Sequence, residues 1–269
     1  MEARLVQIII TTSYQPSAEQ IALGRDFAKR LKTLFVPRGK YSIAQLKKDY
    51  QTDFVLVVTG KGPVIHTPEG EFFFHLNMAQ LRIKNLQVGK DDHMVVAMGL
   101  KPGMSVLDCT LGLASDAIVA SYIVGETGQV IGLESSLVIA LVAEYGLKHF
   151  ESDDGTINQA LRRIKVLPLD YNDYLSQLPD NSFDVVYFDP MFRQPVQASN
   201  NIKPLRVLAD NRPLTLEILQ QARRVAKQRV VVKEKNGSPE FARLGITAFV
   251  GGKYSHITYG ILDARKGET

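Results

Sequence analysis

The sequence predicts an α/β fold: a mostly parallel sheet with a reversed last strand, preceded by a small α/β unit. Three observations carry this expectation. From Lys101 onward, short runs rich in Val, Ile and Leu alternate with stretches of helical spacing, the pattern of right-handed βαβ units. Near the end, two apolar runs flank Gly251-Gly252, a hairpin that turns one strand against the others. Before residue 80 the elements are fewer and close in a hairpin of their own.

The first unit begins with a strand at Leu5 to Ile10, ended by Thr11-Thr12-Ser13. Ser17 is the N-cap of a helix to about Leu31, with Ile21, Phe27, Ala28 and Leu31 on one side. Pro37-Arg38-Gly39 is a turn, and Ser42 caps a second helix to Tyr50. Phe54 to Val58 is a strand, and Val64 to His66 pairs with Glu71 to His75 around Pro68-Glu69-Gly70. Residues 1–80 thus form a small N-terminal α/β domain, and residues 81–269 form the larger one. Residues 77–90 read as a linker with a basic face at Arg82, Lys84 and Lys90. Asp91 or Asp92 caps a helix through Met98, which Gly99 ends.

In the larger unit, Ser105 to Asp108 is a strand and Asp116 to Val124 a helix. Val130 to Glu134 is the second strand, and Leu137 to His149 the second helix. Ile164 to Leu169 is the third strand, and Tyr171 to Gln177 a short helix. Phe183 to Phe188 is the fourth strand, followed by a helix over Thr215 to Lys227 and a strand over Arg229 to Lys233. Ile246 to Val250 and His256 to Leu262 form the closing hairpin. This is the outline of a Rossmann-like sheet.

The totals are those of a soluble globular protein, with 45% apolar and 22% charged residues. A net charge of +4 permits an acidic partner such as nucleic acid without requiring one. Cys109 is the single cysteine, so no internal disulfide or cysteine pair for a metal exists. The five histidines lack metal-ligand spacing, and no metal is expected. The chain shows neither a signal peptide nor 18 consecutive apolar residues, and a cytoplasmic location without membrane contact is expected.

The chemistry concentrates at strand ends. The first strand leads into Asp108-Cys109-Thr110-Leu111-Gly112, and a glycine there lets backbone approach a ligand closely. Gly112-x-Ala114-x-x-Ala117 is a degenerate dinucleotide fingerprint, which would make a nicotinamide-dependent oxidoreductase. Asp108-x-Thr110-x-Gly112 is instead the acidic loop of S-adenosylmethionine enzymes. Asp108 and Asp116 flank the loop and suit a sulfonium and an ammonium better than a pyrophosphate. Glu134 ends the second strand, where a carboxylate accepts from ribose hydroxyls in either case. Asp170 ends the third strand, to meet an adenine amino group or to cap the helix at Tyr171; Tyr171 could pack on the ring.

The sharpest change of character is at Phe183 to Phe192. A buried strand stops at Asp189-Pro190, because Pro has no N–H for a sheet ladder. Asp189-Pro190-Met191-Phe192 resembles the Asp/Asn-Pro-Pro-Tyr/Phe motif of methyltransferases that modify base amino groups. An amino nitrogen conjugated to a ring is a poor nucleophile. Asp189 and the Pro190 carbonyl can accept its N–H bonds and aim its lone pair. Phe192 would stack on the base, worth about 1–3 kcal/mol.

Four stretches together resemble the RsmJ (YhiQ) type of ribosomal RNA small-subunit methyltransferase, which makes N2-methylguanine in 16S rRNA. They are Val106 to Ala117, Tyr187 to Phe192, Lys203 to Val207, and Lys227 to Lys233, within residues 90–262. The Asp-Pro-Met-Phe form is characteristic of that family. The resemblance implies a class I methyltransferase sheet, S-adenosylmethionine as cofactor and small-subunit rRNA as substrate; a non-catalytic RNA-binding relative that kept the fold is an alternative, and a monomer or homodimer is expected. It implies that Ser115, Asp116, Glu134, Ser135, Asp170, Tyr171 and Asp189 surround the cofactor. The family often has Gly-Arg-Asp where this chain has Ala114-Ser115-Asp116, and Glu-Arg at Glu134-Ser135. Arg193, Lys203, Arg206 and Lys233 are the expected contacts to nucleic acid.

Overall fold

A computed structural model describes residues 7–76, 78–190, 203–252 and 255–264, without the side chains of residues 205 and 206. Among these residues the chain builds two sheets.

The first sheet contains β1 (Ile8–Thr12), β2 (Leu34–Phe35), β3 (Phe54–Thr59), β4 (Gly62–Thr67) and β5 (Gly70–Phe73), in the order β2-β1-β3-β4-β5. β1 is parallel to β2 and β3, and the remaining pairs are antiparallel. α1 (Ala18–Arg30) starts at a capping box, in which the Ser17 hydroxyl accepts from Gln20 N–H. α2 (Ile43–Asp49) is capped by Ser42.

α3 (Met78–Gln87) occupies the stretch expected as a linker. Ala79 and Ile83, four residues apart, are fully buried. The two residues hold one helix face against the second unit, and Arg82 points inward with them. α4 (His93–Met98) is capped by Asp92 and ends at Gly99, whose φ is +60°.

The second sheet contains β6 (Ser105–Asp108), β7 (Gln129–Leu133), β8 (Ile164–Leu167), β9 (Phe183–Phe188), β10 (Ala226–Lys235), β11 (Ala248–Val250) and β12 (Ile257–Asp263). Their order is β11-β12-β10-β9-β6-β7-β8. The five strands β6 to β10 are parallel to one another, and β12 runs antiparallel to β10 and β11. The reversed last strand therefore inserts beside β10, and its hairpin partner takes the edge. α5 (Ser115–Val124), α6 (Leu137–His149), α7 (Gly155–Arg163), α8 (Tyr171–Gln177), α9 (Lys203–Arg206), α10 (Leu216–Val225) and α11 (Pro239–Arg243) complete the chain. α7 was not expected from the sequence; Asp154 caps it and Ile157, Ala160 and Leu161 are its buried face.

Each central strand buries both faces. Val106, Val185, Tyr187 and Val231 pack under α3, α4 and α5, while Leu107, Val186, Phe188 and Val232 pack under α8 and α10. This two-sided burial makes the strands read as continuous apolar runs. Side chains therefore alternate faces, which decides where each functional residue points. The first sheet shares a core with α6, where Ile8, Phe27, Leu56 and Ile65 meet Val138, Ile139 and Val142. Gly146 admits Phe74 there; a Cβ would stand 1.9 Å from the ring.

Candidate active site

The strand order reverses between β6 and β9, and ligands bind at the carboxyl ends of strands at such a point. A cleft opens there. Thr110, Gly112, Glu134, Tyr171, Asp189 and Arg212 are among its lining residues. Ser135 and Pro190 line it too.

The loop after β6 is tied to neighbouring strands by its backbone. Cys109 N–H donates to the Tyr187 carbonyl at 2.9 Å, and Leu111 N–H to the Leu133 carbonyl at 2.9 Å. The Thr110 hydroxyl accepts from Asp189 N–H at 2.6 Å, which fixes the end of β9. Gly112 has φ +53° with open space where a Cβ would stand, so the loop faces the cleft with bare backbone. Its N–H donates to Glu134 at 3.0 Å, and Ser136 N–H donates to the same carboxylate at 2.8 Å. Burial pushes the Glu134 carboxyl up to about 7, against those two N–H donors.

Asp170 caps α8 by accepting from Asn172 N–H at 2.8 Å and also pairs with Arg212. Burial works to raise its carboxyl, but Arg212 and Asn172 outweigh it and hold it low. Of the two roles weighed from the sequence the capping one is seen, on a residue that already has a cation and is not among the cleft's lining residues. Tyr171 stands edge-on to Phe188, with ring centroids 5.6 Å apart, and lines the cleft.

The other face of the sheet carries a buried ion network. Lys233 Nζ lies 2.9 Å from Asp116 Oδ2 and 2.8 Å from Asp189 Oδ2. Arg82 joins Asp116 to Asp92, and the Tyr187 hydroxyl donates to Asp116 at 2.7 Å. Burial would raise the Asp116 carboxyl, yet Lys233 and Arg82 hold it well below the usual carboxylate range. Asp189 goes the other way: burial raises it, Lys233 opposes, and Asp116 adds to the rise. Asp108 is buried beside this network, its carboxyl pushed up to about 8 by burial, and accepts from Thr110 N–H at 3.0 Å.

Two expectations need correction. Lys233 is not a surface phosphate contact, because it alternates with Val232 and points into the α5 side of the sheet, saturated by two carboxylates. Asp116 does not face the cleft; Arg82, Lys233 and Tyr187 hold it beneath. Ser115, at the start of α5, and Asp108 are likewise not among the cleft's lining residues. Lys203 is exposed at the start of α9. Phe192 and Arg193 lie outside the described residues, as does the Arg206 side chain.

No sign in the sequence marked Asp210 and Arg212, and Arg82, expected on the basic face of a linker, is instead buried in the ion network. Arg212 Nε donates to both Asp210 oxygens, at 2.9 and 2.8 Å, on the cleft's rim. A cation directly following three apolar strand residues, as Lys233 does, was a legible sign of an inward charge. Among the described residues no group of three or more His, Cys, Asp or Glu is placed to hold a metal. No described helix is long and apolar enough to cross a membrane.

A family profile described as "Putative SAM-dependent methyltransferase" matches residues 45–255. The chain is 41% identical over 256 residues to the uncharacterized protein YpiP of Bacillus subtilis, covering 94% of this chain and 98% of that one. It is 34% identical over 155 residues to ribosomal RNA small subunit methyltransferase J of Coxiella burnetii, covering 54% of this chain and 56% of the relative. That second match therefore spans little more than half of the relative's length. A solved SAM-dependent methyltransferase from Neisseria gonorrhoeae shares the fold, with a TM-score of 0.66, 15% identity and 97% of each chain covered.

Proposed function

From the premise that this chain belongs to the SAM-dependent methyltransferase family and uses S-adenosylmethionine, we propose that it methylates an exocyclic base amino group, guanine N2 of small-subunit rRNA. The site's chemistry fits the cofactor. Glu134, Asp189 and Asp210 line the cleft with one cation, Arg212, which Asp170 and Asp210 already neutralise, and this surplus of carboxylates favours a cationic ligand over a pyrophosphate. This sets aside the dinucleotide reading. Glu134 is the acceptor for ribose hydroxyls, Tyr171 and Leu133 are the apolar walls, and Gly112 leaves room at the backbone. When bound, the cofactor supplies an electrophilic methyl group.

The observation that carries the proposal is the placement of Asp189-Pro190 at the end of β9. Asp189 keeps 29% of its side chain exposed while Thr110 and Lys233 fix its backbone and carboxylate. Such a clamped acceptor, with the Pro190 carbonyl beside it, can take both N–H bonds of a flat amino group and orient its lone pair. The amino proton leaves to water or to Asp189. The rRNA substrate is supported by the partial likeness to methyltransferase J and by the Asp189-Pro190-Met191-Phe192 motif.

Two measurements test this. Calorimetry should show S-adenosylhomocysteine binding and no NAD binding; the reverse would sink the reading. Asp189→Ala should lower labelled-methyl transfer to small-subunit rRNA, taken from cells lacking the gene, by more than about 100-fold, or about 2.7 kcal/mol. Transfer at the wild-type rate would remove Asp189 from this role.

A further inference from the structure

A second cavity adjoins the cofactor cleft across Pro190. Pro190, Arg212, Val232, Glu234, Ser238 and Glu240 are among its lining residues, and Pro190 and Arg212 belong to both spaces. The strand register explains the placement of Glu234. Val232 pairs with Phe188 in the parallel β9–β10 ladder, and Glu234 and Pro190 each lie two residues further along. Glu234 alternates with Lys233, so it points to the opposite face, toward α10 and α11.

Glu234 is a buried acid, 8% exposed, at the mouth of a strand. Lys235 N–H donates to its Oε2 at 3.0 Å, and the Ser238 hydroxyl bonds to it as well. A carboxylate offers about four acceptor sites, so these two donors hold it in place and leave capacity toward the cavity. Arg212, which lines both spaces, is tied to Asp170 and Asp210. Glu240, on the far wall, accepts from Arg243 at 3.0 Å.

A carboxylate beside an amino-holding group separates the bases by elementary chemistry. Next to its amino group guanine carries N1–H, a second donor. Adenine and cytosine carry a lone pair at the corresponding ring nitrogen. An acceptor at Glu234 therefore matches guanine and meets a lone pair in the other two. We infer that Glu234 is the specificity-determining residue of this site, accepting the N1–H of guanine from the second cavity while the adjacent amino group meets the Pro190 carbonyl on the wall the two spaces share and Asp189 from the cleft. This rests on the base-amino reading above and adds which base is chosen and by what.

The test uses the full chain and two forms of small-subunit rRNA. Labelled-methyl transfer to rRNA from cells lacking the gene, followed by nucleoside analysis, first locates the modified residue. The rRNA is then rebuilt by ligation with guanosine or 2-aminopurine riboside at that position. 2-Aminopurine keeps the 2-amino group but has a lone pair at N1. Wild type should prefer guanosine by about 50-fold or more in kcat/KM, since a site built around a donor rejects its absence. Glu234→Gln should narrow this to less than about fivefold, because its amide can turn an N–H toward N1. S-adenosylhomocysteine affinity within about twofold of wild type shows that the variant kept its cofactor site, a readout that loop damage alone would move differently from base choice. Equal use of the two RNAs by wild type overturns the inference with no variant needed, as does an unchanged preference in Glu234→Gln. In either case the guanine-N2 reading survives. Label on adenine or cytosine, or no transfer at all, overturns that reading and this inference together.

Discussion

Replacing Lys233 by Met removes the cation that two carboxylates share, at 2.9 Å from Asp116 and 2.8 Å from Asp189. The two lose unequally. Asp116 keeps Arg82 and the Tyr187 hydroxyl. For Asp189, Lys233 is the group that opposes the rise caused by burial, so without it the carboxylate is left with no cation beside it and its pKa moves further up. Removing one partner of a buried pair costs about 3–5 kcal/mol. The Lys233 and Asp189 side chains are 19% and 29% exposed, so water screens part of this and the low end, about 3 kcal/mol, is expected. Urea unfolding at neutral pH reads the loss. Adding Asp189→Asn removes the stranded charge, and the double variant should recover about 1 kcal/mol or more relative to Lys233→Met. A loss below about 1 kcal/mol in the single variant, or a double variant less stable than the single one, would refute this account of the network.

Other outcomes follow from the same structure. Gly146→Ala places a Cβ 1.9 Å from the Phe74 ring, inside the contact between α6 and the first sheet; a loss of about 1–3 kcal/mol is expected despite the better helix former, and a melting temperature at or above wild type would contradict it. Glu134 titrates near 7 and must be ionised to accept hydroxyl donors from both sides. S-adenosylhomocysteine affinity should thus fall about tenfold per unit as pH drops below 7 and level off above it, with Glu134→Gln giving a flat profile; a wild-type profile that is flat from pH 5 to 8 excludes this role. Cys109 is 2% exposed and burial pushes its thiol up, so a thiol reagent should label the native chain about 100-fold more slowly than the chain in urea. Comparable rates would place Cys109 on an open surface.

What the sequence disclosed depended on how local each cause is. The strands at 105–108, 130–134 and 183–188 bury both faces, and their apolar runs show it. The glycine hairpin at 251–252 declared the reversal, although β12 sits inside the sheet order and not at its edge. α3 was hidden because its apolar residues are scattered round the helix: Ala79 and Ile83 are buried while Met78 and Leu81 are exposed. Its Arg82 reaches Asp116, 34 positions away, and Lys233 reaches the same carboxylate across 117. No window of sequence contains such pairs. Asp189-Pro190 was legible because a proline must stop a central strand. Asp116 flanks the loop in sequence and was expected at the cofactor, but Arg82, Lys233 and the Tyr187 hydroxyl, all distant in sequence, engage its carboxylate instead. Arg212 lies in a polar loop whose only local feature is Asp210, and its link to Asp170 is tertiary.

The central claim is that a base amino group in small-subunit rRNA is the methyl acceptor. Nucleoside analysis of that rRNA with and without the gene addresses it directly. The account predicts that one N2-methylguanosine is missing from the deletion strain and is restored by the wild-type chain but not by Asp189→Ala. An unchanged set of methylated nucleosides, or the loss of a methyl group from a ribose or ring carbon, would contradict it.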